Sequence, residues 1–196
     1  MISEFLETVK SLDGVVYNLK YHQSRYESVL KSFNILEYKN LKDYINPPMH
    51  GLYRCRLVYD KSKIDVEYIK YKMRNIKTLK LVYDDDIEYD KKSTSRQNLN
   101  KLFEQKDSCD DILIVKNSLL TDTSIANVAL FDGKRWFTPK NPLLEGTTRK
   151  RLLDEGKIYE LEIGVDDICN FEKIALLNAM IDFDIIAGDS LKDIIC

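Results

Sequence analysis

The feature that most constrains this chain is a period of two running from residue 51 to residue 83. Gly51–Asp60 (GLYRCRLVYD), Lys63–Tyr71 (KIDVEYIKY) and Thr78–Tyr83 (TLKLVY) alternate apolar and polar side chains and are rich in Tyr, Val and Ile. Such a pattern does not suit a helix, because successive side chains must leave opposite faces of an extended backbone. Asp60-Lys61-Ser62 supplies a turn between the first two segments. The polar alternate positions predict an antiparallel sheet with one solvated face.

Around this block the period changes. Phe5–Lys10 is expected to be extended, Asp13-Gly14 is a tight-turn signal, and Val15–Tyr17 resumes the β pattern. Tyr26, Val29, Leu30 and Phe33 then fall at helical spacing, predicting a helix over Tyr21–Phe33. A short helix at Leu41–Ile45 must stop before Pro47-Pro48. The acidic run Asp84-Asp85-Asp86 marks the expected boundary between a small α+β domain, 1–86, and a larger domain, 87–196.

In the second part Ser93 or Thr94 is placed to cap a helix reaching Gln105, and Ile112–Val115 reads as a buried strand. Val128–Phe137 reads as a hairpin around Asp132-Gly133, followed by a helix from about Gly146 to Glu155 with Gly156 as its C-cap. Strands at Tyr159–Ile163 and Ile174–Met180, with a helical turn at Asp166–Phe171 between them, complete an α+β chain.

Composition excludes several function classes. A chain of 196 residues with 44% apolar side chains can fill a core, while a net charge of −2 argues against a dedicated nucleic-acid or membrane-surface binder. The basic run Arg149-Lys150-Arg151 lacks the aromatic platforms that nucleic-acid readers add. Only His22 and His50 are available, which makes a histidine-rich metal centre an unexpected outcome, and no metal site is predicted. Cys55, Cys109, Cys169 and Cys196 form no C-x-x-C pair and are expected as reduced thiols in a cytoplasmic protein. Glu4 and Glu7 interrupt the segment where a signal peptide would be apolar, and no apolar stretch approaches the roughly 20 residues of a membrane helix.

Four separated segments narrow the function. The first is Leu6-Glu7-Thr8-Val9-Lys10, then Asp13-Gly14, then His22-Gln23-Ser24-Arg25. Lys92-Ser93-Thr94-Ser95-Arg96 is the second, with Leu99 and Leu102 following. Leu120–Asn127 (LTDTSIAN) with Trp136-Phe137-Thr138-Pro139 is the third, and Leu144-Glu145-Gly146-Thr147-Thr148-Arg149 the fourth. In this order, over about residues 5 to 183, the set resembles the class IV aminotransferases, the fold type IV enzymes of pyridoxal phosphate (PLP). The resemblance implies a two-domain fold like that of D-amino-acid aminotransferase. A small N-terminal α+β domain would precede a larger, mostly β domain with flanking helices.

The resemblance also implies roles. Lys92 matches the Schiff-base lysine and is the expected catalytic residue, with Lys91 its neighbouring decoy. A lysine in this role must be neutral for part of the cycle, which burial and nearby positive charge promote. Asp122 matches the acid beside the pyridine nitrogen, where the family normally carries Glu. Gly146, Thr147 and Thr148 match the phosphate cup at a helix start, and Arg25 matches the arginine that completes it. Asn127 matches an asparagine close to the cofactor, Thr8 and Asn178 match substrate-side positions, and His22 is expected to pack or hydrogen-bond rather than act as a base.

Leu177-Asn178-Ala179-Met180 looks like the lyase branch, where aminotransferases carry Gly-Thr. The resemblance thus implies aminodeoxychorismate lyase activity, giving 4-aminobenzoate and pyruvate for folate synthesis. An aminotransferase of branched-chain or D-amino acids is the alternative, and a non-catalytic PLP-binding homologue is a third. It further implies a homodimer acting on a small-molecule substrate, and an N-terminus shortened relative to family members.

Overall fold

The computed structural model describes residues 4–188 and 190–195, so Cys196 lies outside the described residues. The chain divides into two compact units, one formed by Met1–Met73 with Lys91–Ser95 and the other by Arg74–Asp90 with Arg96–Cys196.

In the first unit β1 (Phe5–Leu12) turns at Asp13-Gly14 into the short β2 (Val15–Val16), and Gly14 takes a φ of 79° that suits glycine. Helix α1 (Leu19–Lys31) follows, then a 3-10 turn over Leu41–Tyr44, β3 (Leu52–Tyr59) and β4 (Ile64–Lys70). The strands form an antiparallel sheet in the order β2-β1-β3-β4, with β1 registered on β3 from Phe5 opposite Tyr59 to Leu12 opposite Leu52. Alternate residues Phe5 and Val9 of β1 and Cys55, Leu57 and Tyr59 of β3 pack with Tyr26, Val29 and Leu30 of α1. This is the one-sided sheet that the period of two predicts.

The second unit holds β5 (Leu79–Tyr83), α2 (Gln97–Phe103), β6 (Asp111–Lys116), β7 (Leu119–Thr123), β8 (Asn127–Phe131) and β9 (Trp136–Pro139). Helix α3 (Thr147–Asp154), β10 (Tyr159–Leu161), β11 (Lys173–Asn178), β12 (Asp182–Ile185) and a last turn α4 (Leu191–Ile194) complete it. Its sheet runs β10-β9-β8-β7-β6-β5, and β11 pairs with both β8 and β12. The described residues are thus a mixture of strands and a few helices, as an α+β chain requires.

Three expectations are corrected here. Thr78–Tyr83 is not a third strand of the first sheet: β5 pairs in parallel with β6, and the boundary lies at residue 74 rather than at the acidic run. Leu79 and Leu81 pack into one apolar cluster and Val82 into another, so β5 is buried on both faces as parallel strands are. The helix expected from Ser93 begins instead at Gln97. Residues 91–95 are drawn to β1: Ser93 bridges Phe5, the Leu6 N–H donates to Lys92 O at 2.8 Å, and the Thr94 N–H donates to Glu4 O at 3.0 Å.

Candidate active site

In the first unit β1 carries a charged residue where its alternation calls for an apolar one. Glu7 lies between Phe5 and Val9 on the face covered by α1 and is fully buried. An unpaired carboxylate there would be costly. The helix answers with His22 and Arg25, three residues apart and therefore on one face. Arg25 Nε donates to Glu7 Oε1 at 2.8 Å and Arg25 Nη2 to Oε2 at 2.6 Å. His22 Nδ1 lies 2.6 Å from the same Oε2.

Burial alone would raise the Glu7 pKa, but the charge of Arg25 and the bonds from His22 and Arg25 outweigh it and hold it at about 2. For His22 burial wins, against the bond and charge of Glu7, and lowers its pKa with further help from Arg25 and Lys92. At neutral pH Glu7 is therefore ionised and His22 neutral, so Nδ1 carries the proton and donates it.

Lys92 enters this unit through its backbone bond to Leu6, while the Lys91 ammonium sits 6.0 Å from the centre of the Phe33 ring. Thr8 points to the other face of β1 and is partly exposed, opposite Arg56 of β3. Sequence reasoning gave Glu7 no role of its own. The signal was present as a charge in phase with Phe5 and Val9, with two basic side chains at helical spacing downstream.

In the second unit the hairpin of β7 and β8 pairs Asp122 directly with Asn127. Asn127 Nδ2 donates to Asp122 Oδ1 and to Leu144 O, both at 2.8 Å, and the Leu144 N–H donates to Asp122 Oδ2 at 2.9 Å. The Thr123 hydroxyl accepts the N–H groups of Ile125 and Ala126 at 3.3 and 3.0 Å, which shapes the turn between the strands. Arg96 Nη2 donates to Ser124 O in that turn at 2.6 Å.

Burial raises the Asp122 pKa to about 7, against the bonds from Asn127 and Leu144 and the charge of Arg149. Its two hydrogen-bond donors are neutral, and a carboxylate offers about four acceptor positions. Asp122 is thus a desolvated acid with capacity left for a cationic donor.

Gly146 starts α3 with ordinary extended dihedrals, so its backbone does not demand glycine. Space does: a Cβ there would stand 1.8 Å from Asn127 Oδ1. Thr147 and Thr148 are buried in the first turn of α3, where N–H groups lack helical acceptors. Helix α3 is clamped from behind by Arg149, which donates to Pro139 O at 2.9 Å and to Glu160 Oε1 at 2.7 Å. Arg151 pairs with Glu155 and Asp182, and Lys150 with Asp154. The basic run is therefore met by carboxylates on its own unit.

The fold brings Asp122, Asn127 and Gly146 into contact, with Thr147 and Thr148 next in line. Asn178 is engaged in its own turn: Oδ1 accepts the N–H groups of Met180 and Ile181 at 2.9 and 3.1 Å, and Nδ2 donates to Ile125 O at 3.4 Å. A substrate role for Asn178 would have to displace those bonds. Among the described residues there is no cluster of three or more His, Cys, Asp or Glu suited to a metal ion, and no helix is long and apolar enough to cross a membrane.

Residues 68–186 match the family described as amino-transferase class IV. The chain belongs to that family. A relative in Haemophilus influenzae, named only as an uncharacterized protein, is 40% identical over 183 residues, 89% of this chain and 96% of its own length. A solved structure from Haemophilus somnus, named a putative 4-amino-4-deoxychorismate lyase, is 36% identical with a TM-score of 0.86, covering 91% of this chain and 96% of that one. A fission-yeast protein, named putative aminodeoxychorismate lyase, is 34% identical over 87 residues, 41% of this chain and 38% of its own length. A Mycobacterium tuberculosis protein, named a hypothetical aminotransferase in its PLP-bound form, shares the fold at 15% identity, with a TM-score of 0.78 over 96% of this chain and 83% of that one. The class IV aminotransferase resemblance is thereby established, and with it an enzyme of that family.

Proposed function

We propose that this enzyme holds pyridoxal 5'-phosphate and converts 4-amino-4-deoxychorismate to 4-aminobenzoate and pyruvate. The observation that carries the cofactor assignment is the Asp122–Asn127–Gly146 arrangement. A buried acid with neutral donors and spare acceptor capacity suits a protonated pyridine nitrogen. The glycine lets the Asn127 side chain pack directly against the start of α3. For the reaction, support comes from the naming of the 36%-identical Haemophilus somnus protein and from the Asn178-Ala179 pair.

In this proposal Lys92 is the covalent anchor, and Nζ, once free, takes the proton from the amine-bearing carbon of the substrate. When bound, the cofactor supplies a conjugated ring that accepts the electrons left on that carbon. Asp122 keeps the ring nitrogen protonated, and Asn127 holds Asp122 in place through Oδ1. Arg25 gives the phosphate a planar fork, while Thr147, Thr148 and the first N–H groups of α3 give it neutral donors. Thr8, on the partly exposed face of β1, is a candidate for contact with substrate. We assign the enzyme to the cytoplasm as a homodimer.

Two measurements test this. Borohydride treatment of protein loaded with PLP should add the reduced cofactor mass at Lys92. Pyruvate and 4-aminobenzoate should then form without any keto-acid acceptor. Glutamate-dependent amino transfer in their place would assign the enzyme to the aminotransferase branch, and a protein that takes up no PLP would refute both assignments.

A further inference from the structure

Glu7 is fully buried, ionised, and shared by two side chains that both come from α1. Its two oxygens take Nε and Nη2 of Arg25, the edge-on bidentate geometry in which a carboxylate fixes the plane of a guanidinium. Fixing Nε and Nη2 also fixes the direction of Nη1. The same Oε2 receives the His22 Nδ1–H, leaving Nε2 as the bare nitrogen of that ring. Around the carboxylate stand His22 and Arg25 from α1 and Tyr59 from β3, with the Lys92 ammonium acting on His22 from the segment paired to β1.

We propose that Glu7 is a positioning residue for anion recognition: it holds the Arg25 fork in the orientation that receives a phosphate monoester dianion, without touching the anion itself. This rests on the assignment of Arg25 to the phosphate of PLP. It has a consequence opposite to simple electrostatics. Removing a negative charge near an anion site strengthens anion binding by Coulomb's law alone. Loss of positioning weakens it.

The apoprotein is titrated with PLP and with pyridoxal, which lacks the phosphate, for wild type, Glu7→Gln, Arg25→Lys and the double variant. The preference for PLP over pyridoxal should fall about tenfold or more in Glu7→Gln, the size expected for a hydrogen bond to a charged group. Pyridoxal affinity should stay unchanged, and the double variant should lose no more preference than the worse single one. A preference unchanged or raised in Glu7→Gln overturns the proposal, as does an equal loss for both ligands, the mark of a general structural role. If wild type binds no PLP, the cofactor assignment falls and this inference with it. If the preference survives Arg25→Lys, Arg25 is not the phosphate ligand. If only Glu7→Gln is without effect, the inference alone falls.

Should Glu7→Gln not fold, NMR of unmutated apoprotein labelled with 15N-arginine decides the matter. The Arg25 Nε–H should be protected from exchange before any ligand is added, and its signal should shift with PLP but not with pyridoxal. A rapidly exchanging Nε–H, or equal shifts with both ligands, overturns the proposal.

Discussion

Gly146→Ala isolates the packing of Asn127 against the start of α3. The new Cβ would stand 1.8 Å from Asn127 Oδ1 and 3.0 Å from Cγ, well inside contact distance. An exposed asparagine would simply swing aside. Asn127 is buried, and both hydrogens of Nδ2 are committed, to Asp122 Oδ1 and Leu144 O. Any shift that clears the methyl loosens both bonds and leaves Asp122 with one donor. Overpacking costs about 1–3 kcal/mol, and the bond to an ionised Asp122 about 1.5–3 kcal/mol. Alanine also stiffens the unfolded chain, which returns about 0.4–1 kcal/mol. The net is a loss of about 2–5 kcal/mol in unfolding free energy.

The assay is urea unfolding of the apoprotein followed by circular dichroism, near pH 8 so that Asp122, with its pKa of about 7, is ionised. The decisive comparison is a double-mutant cycle with Asn127→Ala. That substitution costs about 2–3 kcal/mol alone, but it removes the atom that the methyl strikes. In its background Gly146→Ala should cost less than about 1 kcal/mol. Wild-type stability in Gly146→Ala, or strict additivity in the cycle, would refute the claim that Asn127 is pinned.

Three further outcomes are expected. Because Asp122 has a folded-state pKa raised from 3.8 to about 7, the folded protein binds more protons between these values, so its contribution to stability falls as pH rises through that window. Asp122→Asn should flatten this part of the pH profile, and an unchanged slope in urea titrations from about pH 4 to pH 7 would contradict the assigned burial. Thr147→Val with Thr148→Val, which removes two hydroxyl donors from the first turn of α3 and keeps the side-chain shape, should weaken PLP about tenfold or more while leaving the unfolding midpoint of the apoprotein near wild type. Arg149→Met, which removes the bonds to Pro139 O and Glu160, should lower apoprotein stability by about 3 kcal/mol, read in the same urea titration.

The sequence revealed elements whose neighbours are close in the chain and concealed those whose partners are distant. The hairpin around Asp132-Gly133 and the strands either side of Asp60-Lys61-Ser62 carry their own turn chemistry and lie where the pattern predicts. Strand β7 was not predicted, because the polar Thr121, Asp122 and Thr123 interrupt any apolar pattern there. They are nonetheless buried, the Thr121 hydroxyl donating to Ile114 O at 2.9 Å. The parallel partner of β5 begins at Asp111, far enough along the chain that no local signal announces the pairing. For the site, motif order was enough to nominate Arg25, Lys92, Asp122 and the Gly146 segment. Motif order said nothing of Asn127 acting through Asp122, or of Glu7 between His22 and Arg25, because both are relations between side chains.

The pairing of residues 91–95 with β1 bears on how this enzyme can be taken apart. The backbone changes unit after Met73, again after Asp90 and once more after Ser95. A five-residue stretch carrying Lys92 thus belongs with the N-terminal sheet, although both its flanks belong elsewhere. Neither unit is a single stretch of sequence that can be excised by one cut. A chimera that borrows the N-terminal unit from a relative must also bring that relative's Lys92 stretch, or leave the lysine on a strand edge built for another partner.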